Sequence, residues 1–90
     1  MTSDLLRASL QQLPLTDLEV RVTGLPPRLL GVVISPDFEE QNGAIRQRQI
    51  WRHLLDNLSP EQLAGIEFVF TYTPQEMASL DRGERPSPWR

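Results

Sequence analysis

The sequence predicts a small α+β domain in which a three-stranded mixed sheet carries helices on one face. Three observations support this prediction: two segments alternate apolar with polar residues, one segment is continuously apolar and rich in branched residues, and helix-capping sequences precede two later segments. The expected element order is α-β-β-α-α-β-α. The 90 residues are 39% hydrophobic, which suffices for one modest core. We expect residues 1–80 to form a single domain and residues 81–90, which lack periodicity, to be a flexible tail.

The first half of the chain predicts a helix followed by a β-hairpin. Residues 3–13 carry leucines at helical spacing, and Pro14 ends this helix. Residues 18–23 alternate apolar and polar side chains, as a strand with one buried face does. The turn formers of residues 24–27 follow, and residues 29–35, LLGVVIS, then predict a more fully covered strand. Because these two strands are consecutive, we expect them to pair in antiparallel fashion.

The main helix is predicted over residues 44–58, after a polar loop. The Asn42-Gly43 pair in this loop is interpreted as a turn, because both residues tolerate positive φ. The inward stripe of the helix is expected to consist of Ile50, Trp51, Leu54, Leu55 and Leu58. The outer side is expected to consist of Arg46, Gln49, His53 and Asn57. Residues 59–62, SPEQ, then begin a short helix with a capping box.

The last part of the pattern predicts a third strand and a final helix. Residues 66–72 alternate, which places the rings of Phe68, Phe70 and Tyr72 on one side, and we expect these rings in the core. Residues 73–76, TPQE, repeat the capping box, so a helix begins where the strand ends. With helices on one face, the other face of the sheet should be at least partly open to solvent or to a partner.

Composition removes several classes of function. The formal net charge is -3, which does not favour nucleic acid as a partner. Cysteine is absent, so the chain cannot form a disulfide, a thiolate metal site or a cysteine nucleophile. All nine basic residues are arginine, which removes lysine Schiff-base chemistry. Neither a secretory leader nor an apolar stretch of membrane-spanning length is recognisable, so we expect a cytoplasmic protein without membrane contact.

The clearest candidate site is a cationic cluster on the main helix, formed by Arg46, Arg48, Arg52 and His53. Arginine offers paired donors to oxyanions, so the cluster suits an acidic partner or phosphates. The alternative is an ordinary solvated helix face, because Arg52 and Asp56 have the spacing of an i,i+4 ion pair and such surface pairs report little. We predict a partner-binding role for the cluster and keep the alternative open.

A second candidate for partner contact is Trp89, which lies in a polar segment where it cannot easily join the core. No catalytic site is predicted. His53 is the only imidazole, which leaves no two-histidine metal site and no second titrating group for a triad. Ser59 is explained as a helix cap rather than a nucleophile. We therefore expect a protein that is not an enzyme and that holds no metal and no cofactor.

The segment from residue 38 to residue 76 resembles the BolA family in the order and spacing of short motifs. The matching motifs are Phe38 eight residues before Arg46, the triplet Arg46-Gln47-Arg48, the pair Ile50-Trp51, the strand entry Ile66-Glu67-Phe68-Val69 and the cap Thr73-Pro74-Gln75-Glu76. The element order extends this resemblance over nearly the whole chain. The resemblance implies a BolA-like domain over residues 1–80, with a fold similar to the type II KH domain.

The chain departs from the BolA pattern at the positions that carry the family's chemistry. Gln47 replaces the histidine of the triplet, and Glu40 replaces the glycine two residues after the aromatic. Glu67 replaces the strand-entry histidine that the resemblance implies in iron–sulfur cluster ligation with monothiol glutaredoxins. The turn at residues 24–27 supplies neither a cysteine nor a histidine as a second ligand. A carboxylate is a hard ligand poorly matched to an iron–sulfur centre, so we do not expect cluster sharing.

Two functional hypotheses remain open. The first is a non-catalytic BolA-like adaptor or regulatory protein that binds a protein partner through the arginine flank, the last helix and the tail. The resemblance implies a glutaredoxin-like or iron–sulfur assembly protein as that partner, and so a link to iron–sulfur or redox homeostasis. The second is a nucleic-acid-binding regulatory module that uses the same arginines on a KH-like scaffold. The acidic net charge and the lack of a GXXG loop count against the second.

Overall fold

A three-stranded mixed sheet forms the centre of the fold, as the sequence predicts. The structure is a computed structural model that describes residues 1–81. Its elements are α1 (Ser3–Leu10), β1 (Glu19–Thr23), β2 (Leu29–Ile34), a 3₁₀ helix (Pro36–Glu40), α2 (Gly43–Asn57), α3 (Pro60–Leu63), β3 (Ile66–Tyr72) and α4 (Pro74–Asp81). The predicted order of helices and strands is confirmed. Of the predicted tail, residues 81–90, the structure describes only Asp81, which is the last residue of α4. The remainder, with Trp89, lies outside the described residues.

The central strand of the sheet is β2, which lies between β1 and β3. β1 pairs with it antiparallel, with Val20 opposite Val33, and β3 pairs with it parallel, with Phe70 opposite Val32. The hairpin turn contains Gly24 at φ 87°, a left-handed conformation that glycine adopts without steric cost. A parallel pair needs a crossover connection, and α2 with α3 supplies it.

The helices α1 and α2 pack against one face of the sheet and share one core with it. The core side chains are Leu6, Leu10, Leu13, Leu29, Val33, Phe38, Ile50, Leu54, Leu58, Ile66 and Val69. α1 approaches β2 closely, because Leu10 Cδ1 lies 3.1 Å from the position that a Cβ on Gly31 would occupy. Phe38 enters this core from the 3₁₀ helix, where the sequence predicted a polar loop. The aromatic side chain supplies the apolar contact that orders this acidic segment.

Side chains cap the starts of the helices in the described part of the chain. The predicted capping boxes at Ser59 and at Thr73 both form. Asn42 caps α2, because its Oδ1 accepts the amide N–H of Ile45 at 3.0 Å. The interpretation of Asn42-Gly43 as a positive-φ turn is wrong, since Asn42 has φ -75°. The side chain of Asn42 instead accepts one of the N–H groups that lack a partner within the first turn of the helix.

A β-bulge at Glu67 sets the orientation of β3. Leu29 of β2 lies opposite Ile66, but the next residue, Leu30, lies opposite Phe68, so Glu67 is the extra residue. A bulge interrupts the strict alternation of side chains along a strand. Ile66 therefore faces the core, whereas Phe68, two residues further on, faces the opposite side of the sheet.

The aromatic side chains of β3 consequently lie on the open face of the sheet. Phe68 and Phe70 are 39% and 38% exposed, whereas Val69 between them is fully buried. Tyr72, the next residue on the side of Phe70, is partly exposed. The expectation that these three rings belong to the core is wrong. The expectation of a sheet face open to solvent or to a partner is confirmed within residues 1–81.

Two residues of α2 lie on the side opposite to the one predicted. Arg46 was expected on the outer side, but it is only 8% exposed and continues the buried row of Ile50 and Leu54. Leu55 was expected on the inward stripe, but it is 64% exposed. The buried row consists of Arg46, Ile50 and Leu54 at i,i+4 spacing. Arg46 can be buried in this row because the backbone carbonyls of Phe38 and Gln41 accept hydrogen bonds from its guanidinium. The elements match those that the resemblance implies, while the BolA-like and KH-like labels stay predictions.

Candidate functional site

Arg46 joins three elements and is not a surface residue. Its guanidinium donates to the carbonyl oxygens of Phe38 at 2.6 Å and Gln41 at 2.9 Å, and to the carboxylate of Glu76 at 2.8 Å. Its guanidinium carbon lies 5.5 Å from the centre of the Phe38 ring. These contacts tie the 3₁₀ helix, α2 and α4 together. They favour a structural role for Arg46 over the predicted partner contact.

The carboxyl group of Glu76 is held in its ionised form. Burial by itself would raise the pKa of Glu76, but hydrogen bonds from the Thr73 amide and from Arg46 outweigh this effect, and the pKa is lowered from its ordinary value. Tyr72 lies close to the same group. Burial raises the pKa of the Tyr72 hydroxyl, and the negative charge of Glu76 raises it further. Glu76 in the first turn of α4 therefore carries a negative charge, and Arg46 neutralises it.

The imidazole of His53 is also engaged within the fold. Its Nε2 lies 2.7 Å from the backbone oxygen of Ser9 in α1. Because a carbonyl oxygen only accepts, Nε2 is the donor in this bond. The bond ties α2 to α1 and leaves the side chain half-buried. For His53, too, the structure favours a structural role over the predicted partner contact.

Gln47 covers the free edge of β3. Its Nε2 donates to the carbonyl oxygen of Val69 at 2.9 Å. Its Oε1 accepts the indole N–H of Trp51 at 3.0 Å. β3 is an edge strand, and an edge carbonyl otherwise needs water or another strand as its partner. The amide of Gln47 thus serves two partly buried polar groups at once.

The exposed side of α2 carries two apolar and two cationic residues. We call this set the α2 stripe, and it consists of Ile45, Arg48, Arg52 and Leu55. Ile45 is 45% exposed and Leu55 is 64% exposed, and both arginines are exposed. Steps of three, four and three residues place the four on one side of the helix. This side lies opposite the buried row.

The arginines of the α2 stripe carry charge that no carboxylate neutralises within residues 1–81. Neither Arg48 nor Arg52 forms an ion pair there, and the pair expected between Arg52 and Asp56 does not form. The two arginines are one helical turn apart, and like charges at this spacing destabilise a helix by about 0.2–0.5 kcal/mol. An anionic partner would remove this repulsion.

Two shallow grooves border the α2 stripe. One, of about 440 Å³, lies toward the end of α1 and has Leu13, Pro14 and Ile45 in its walls. The other, of about 370 Å³, has Trp51 and Leu55 in its walls. Both grooves also include the two arginines of the stripe. Asp56 lines both grooves as well. Open grooves with apolar and charged walls suit an amphipathic polypeptide better than an enclosed small molecule.

A second exposed surface lies on the other side of the sheet. We call it the aromatic row, and it consists of Phe68, Phe70 and Tyr72. The rings of Phe68 and Phe70 meet edge to face with centroids 5.0 Å apart. Those of Phe70 and Tyr72 are nearly parallel at 6.4 Å. The helix α2 packs on the opposite face of the sheet, so the row and the α2 stripe do not form one continuous surface.

The positions at which the BolA resemblance would place cluster ligands are both exposed and hold neither histidine nor cysteine. Glu67 is exposed at the bulge of β3, and the hairpin turn at residues 24–27 is exposed as well. Within residues 1–81, no group of three or more histidines and carboxylates is arranged to hold a metal ion.

Two of the five predicted partner-binding residues lie together on the surface. They are Arg48 and Arg52, whereas Arg46 and His53 are engaged in the fold and Trp89 lies outside the described residues. The apolar members of the stripe, Ile45 and Leu55, were not predicted as surface residues. Their spacing from the two arginines was a usable signal, but Leu55 was assigned to the core and Ile45 was not considered.

Comparison with known proteins assigns no family to this chain. No protein-family model matches it, and neither a curated protein nor a solved structure does. The resemblance to the BolA family therefore depends on the short motifs alone. No helix within residues 1–81 is both long enough and apolar enough to cross a bilayer.

Proposed function

We propose that this chain is a small non-catalytic adaptor that binds an acidic, amphipathic segment of a partner protein along the α2 stripe. One observation carries the proposal. Two exposed arginines that have no ion pair within residues 1–81 lie between two exposed apolar side chains on one side of α2. Large exposed apolar side chains next to unneutralised charge are typical of interaction surfaces.

The dimensions of the α2 stripe suit a short helix or an extended segment. From Ile45 to Leu55 the helix rises by about 15 Å. A partner helix with two carboxylates between two apolar residues would place a carboxylate near each arginine, where a guanidinium can donate two hydrogen bonds. Its apolar residues would enter the two grooves beside Ile45 and Leu55. Salt should weaken such binding, because the ion pairs are exposed.

Three polar side chains of types that catalysis uses, Ser35, Ser59 and His53, have structural partners in the described part of the chain. Ser35 Oγ donates to the carbonyl oxygen of Thr16 at 2.7 Å, and Ser59 caps α3. The imidazole of His53 donates to the backbone of α1. These engagements support a binding role rather than nucleophilic or acid–base chemistry.

The BolA resemblance gives the partner class to test first, a glutaredoxin-like or iron–sulfur assembly protein. Gln47 and Glu67 replace the family's histidines, and the amide of Gln47 is engaged with Val69 and Trp51. The proposal is therefore docking without a shared cluster. Titration of a purified monothiol glutaredoxin tests this partner class separately from the adaptor function.

Binding of nucleic acid through α2 has weaker support. The stripe offers two arginines, the chain carries a net charge of -3, and the acidic residues Asp37, Glu39 and Glu40 lie near the start of α2. The aromatic row could stack bases, but it lies across the sheet from these arginines. A surface that combines phosphate contacts with stacking is therefore not formed by these two sets of residues.

The adaptor proposal is tested by comparing the proteins that three immobilised versions of the full chain retain from the native cell. The versions are the wild type, the double variant Arg48→Ser/Arg52→Ser, and the control Arg7→Ser/Arg28→Ser, which removes two exposed arginines elsewhere. We expect at least one protein that the wild type and the control retain and that the stripe variant loses. Identical retention by all three versions would refute the proposal.

A further inference from the structure

We propose that two copies of this chain join through the free edge of β1, in antiparallel pairing with Val20 opposite Val20 of the second copy. The joint lies at an edge of the sheet, not on the α2 stripe, and does not depend on the function proposed above. Three features of β1 favour it: an edge that the rest of the fold leaves open, an apolar face that is only partly covered, and charges that complement themselves.

The two edges of the sheet differ in how their backbone groups are covered. β3 forms one edge, where Gln47 donates to the carbonyl oxygen of Val69 at 2.9 Å. At the same edge, Arg46 Nη1 lies 3.5 Å from the carbonyl oxygen of Thr71. Side chains of α2 thus occupy acceptors that an added strand would use. Strand addition is therefore obstructed at β3, and the edge formed by β1 is the alternative.

The backbone groups of Val20 and Val22 point to the open edge. Ser35, directly after β2, donates its N–H to β3, so the odd-numbered residues of β2 direct their backbone groups to β3 and the even-numbered ones to β1. Arg21, opposite Val32, is therefore hydrogen-bonded within the hairpin, and its two neighbours point outward. Within residues 1–81, neither a side chain nor another element forms a hydrogen bond to the backbone of these two valines.

The apolar face of β1 is only partly covered by the rest of the fold. Val20 and Val22 alternate with exposed residues, and together with Leu18 they pack at the border of the core. A second β1 would give each of them an apolar neighbour, because Val20 would meet its own copy and Val22 would meet Leu18. Opposed residues of an antiparallel pair point to the same face, so the helices of both copies would cover the same side of one continuous sheet.

The exposed face of β1 carries one negative and one positive side chain. Glu19 Oε2 lies 2.8 Å from Arg21 Nη2 in the same strand, and the two side chains are 55% and 46% exposed. With Val20 on the two-fold axis, Glu19 lies opposite Arg21 of the second copy, and the four charges alternate in sign around the axis. These are the pairs without backbone hydrogen bonds, in which side chains approach each other most closely.

Charge favours this register over its neighbours. A shift that places Arg21 on the axis brings two arginines directly opposite each other, and a shift that places Glu19 there brings two glutamates together. Like charges at such positions destabilise a strand pair. A shift that places Val22 on the axis leaves Glu19 beyond the end of the other strand, since β1 ends at Thr23. Because a symmetric joint forms every contact twice, the complementary register gains both charge pairs.

The joint is small, so the dimer should be weak and reversible. The five residues of β1 at about 3.4 Å each give a joint about 17 Å long. Interfaces below about 1,200 Å² in total area belong to transient complexes. We therefore expect monomers and dimers to be populated together at about 0.1 mM.

The test compares the sedimentation of the full-length wild type with that of two charge reversals. Glu19→Arg and Arg21→Glu should each be monomeric, because each places like charges opposite each other at the joint. An equimolar mixture of the two variants should form dimers again, because every charged pair across the joint then has opposite signs. The control Glu61→Arg makes the same change in net charge at an exposed position of α3 and should dimerise as the wild type does.

Three outcomes of this experiment would overturn the proposal. The first is a wild type that sediments as a monomer at all concentrations up to about 1 mM. The second is a mixture that stays monomeric although circular dichroism shows both variants to be folded. The third is a dimer that Glu19→Arg leaves intact, which would assign the contact to a different surface.

Amide hydrogen exchange provides a second measurement that needs no substitution. We expect exchange at Val20 and Val22 to slow several-fold as the concentration rises from about 10 µM to about 1 mM, since these amides gain a partner only in the dimer. The Arg21 amide is the internal control, because it is already bonded within the hairpin. Exchange at the two valines that does not depend on concentration would overturn the proposal, as would slowing confined to the aromatic row.

Discussion

Arg46 Nη1 donates to Glu76 Oε1 at 2.8 Å and so joins α2 to the first turn of α4. Among the three ion pairs within residues 1–81, this pair alone has both side chains largely buried, at 9% and 22% exposure. Glu76 also receives the Thr73 amide, which completes the capping box of α4. One carboxylate therefore caps a helix and neutralises a buried cation.

Replacement of Arg46 by leucine should destabilise the fold strongly. The substitution leaves the carbonyl of Phe38 and the carboxylate of Glu76 without their donor, and removing one partner of a buried pair costs about 3–5 kcal/mol. The control Arg48→Leu removes an exposed arginine of the same helix and should change stability by no more than about 0.5 kcal/mol. Urea unfolding followed by circular dichroism measures both. Equal losses in the two variants would contradict the structural role of Arg46.

Stability should fall in acid because of Glu76. Its pKa in the folded chain is lowered from the ordinary value of 4.5, so the ionised carboxyl stabilises the fold at pH values above 4.5. This contribution is lost as the pH falls through the lowered folded-state pKa. We expect the free energy of unfolding to decrease more steeply in the wild type than in Glu76→Gln as the pH falls from 4.5 to the lowered folded-state pKa. Parallel curves for the two proteins would show that Glu76 has no such role.

Loss of the Gln47 amide should expose the edge of β3. In Gln47→Leu the Val69 carbonyl and the Trp51 indole lose their partners, and each unsatisfied buried group costs about 1–3 kcal/mol. The control substitution Gln11→Leu replaces an exposed residue and should have little effect on the free energy of unfolding. Chemical denaturation gives the stabilities, and the emission of Trp51 reports the change at the indole. A stability loss no larger than that of the control would refute the bridging role.

Loss of the ring should destabilise the fold to different extents at Phe38, which is in the core, and at Phe70, which the β-bulge places on the open face. Phe38 is fully buried, so Phe38→Ala should cost about 3–5 kcal/mol. Phe70 is 38% exposed on the open face, so Phe70→Ala should cost clearly less. Thermal unfolding of both variants decides the matter. If Phe70→Ala is the more damaging substitution, the ring belongs to a core and the register at Glu67 is incorrect.

Local sequence signals identified the elements well. Capping residues act within a few positions of the helix they begin, so the boxes at Ser59 and Thr73 were readable from sequence. The first strand followed from alternation, the central strand from its continuous apolar run, and the hairpin from the turn at residues 24–27. These features depend on neighbours in the chain, which a sequence shows directly.

Side-chain orientation was less accessible, because it depends on distant partners. The bulge at Glu67 is defined by how β3 pairs with β2. The sequence of β3 by itself contains no residue that indicates it. Arg46 is buried because carbonyl oxygens of the 3₁₀ helix and Glu76 of α4 surround it. Leu55, on the opposite side of α2, is exposed. The α2 stripe could therefore be predicted only through its two arginines.

The most direct test of the adaptor proposal maps a retained partner onto the isotopically labelled chain. Amide chemical shifts would be followed while the purified partner is added, first in the wild type and then in Arg48→Ser/Arg52→Ser. We predict the largest changes at Ile45, Arg48, Arg52 and Leu55, and their loss together with binding in the double variant. Changes confined to the aromatic row, or equal binding by the double variant, would contradict the assignment of the α2 stripe as the docking surface.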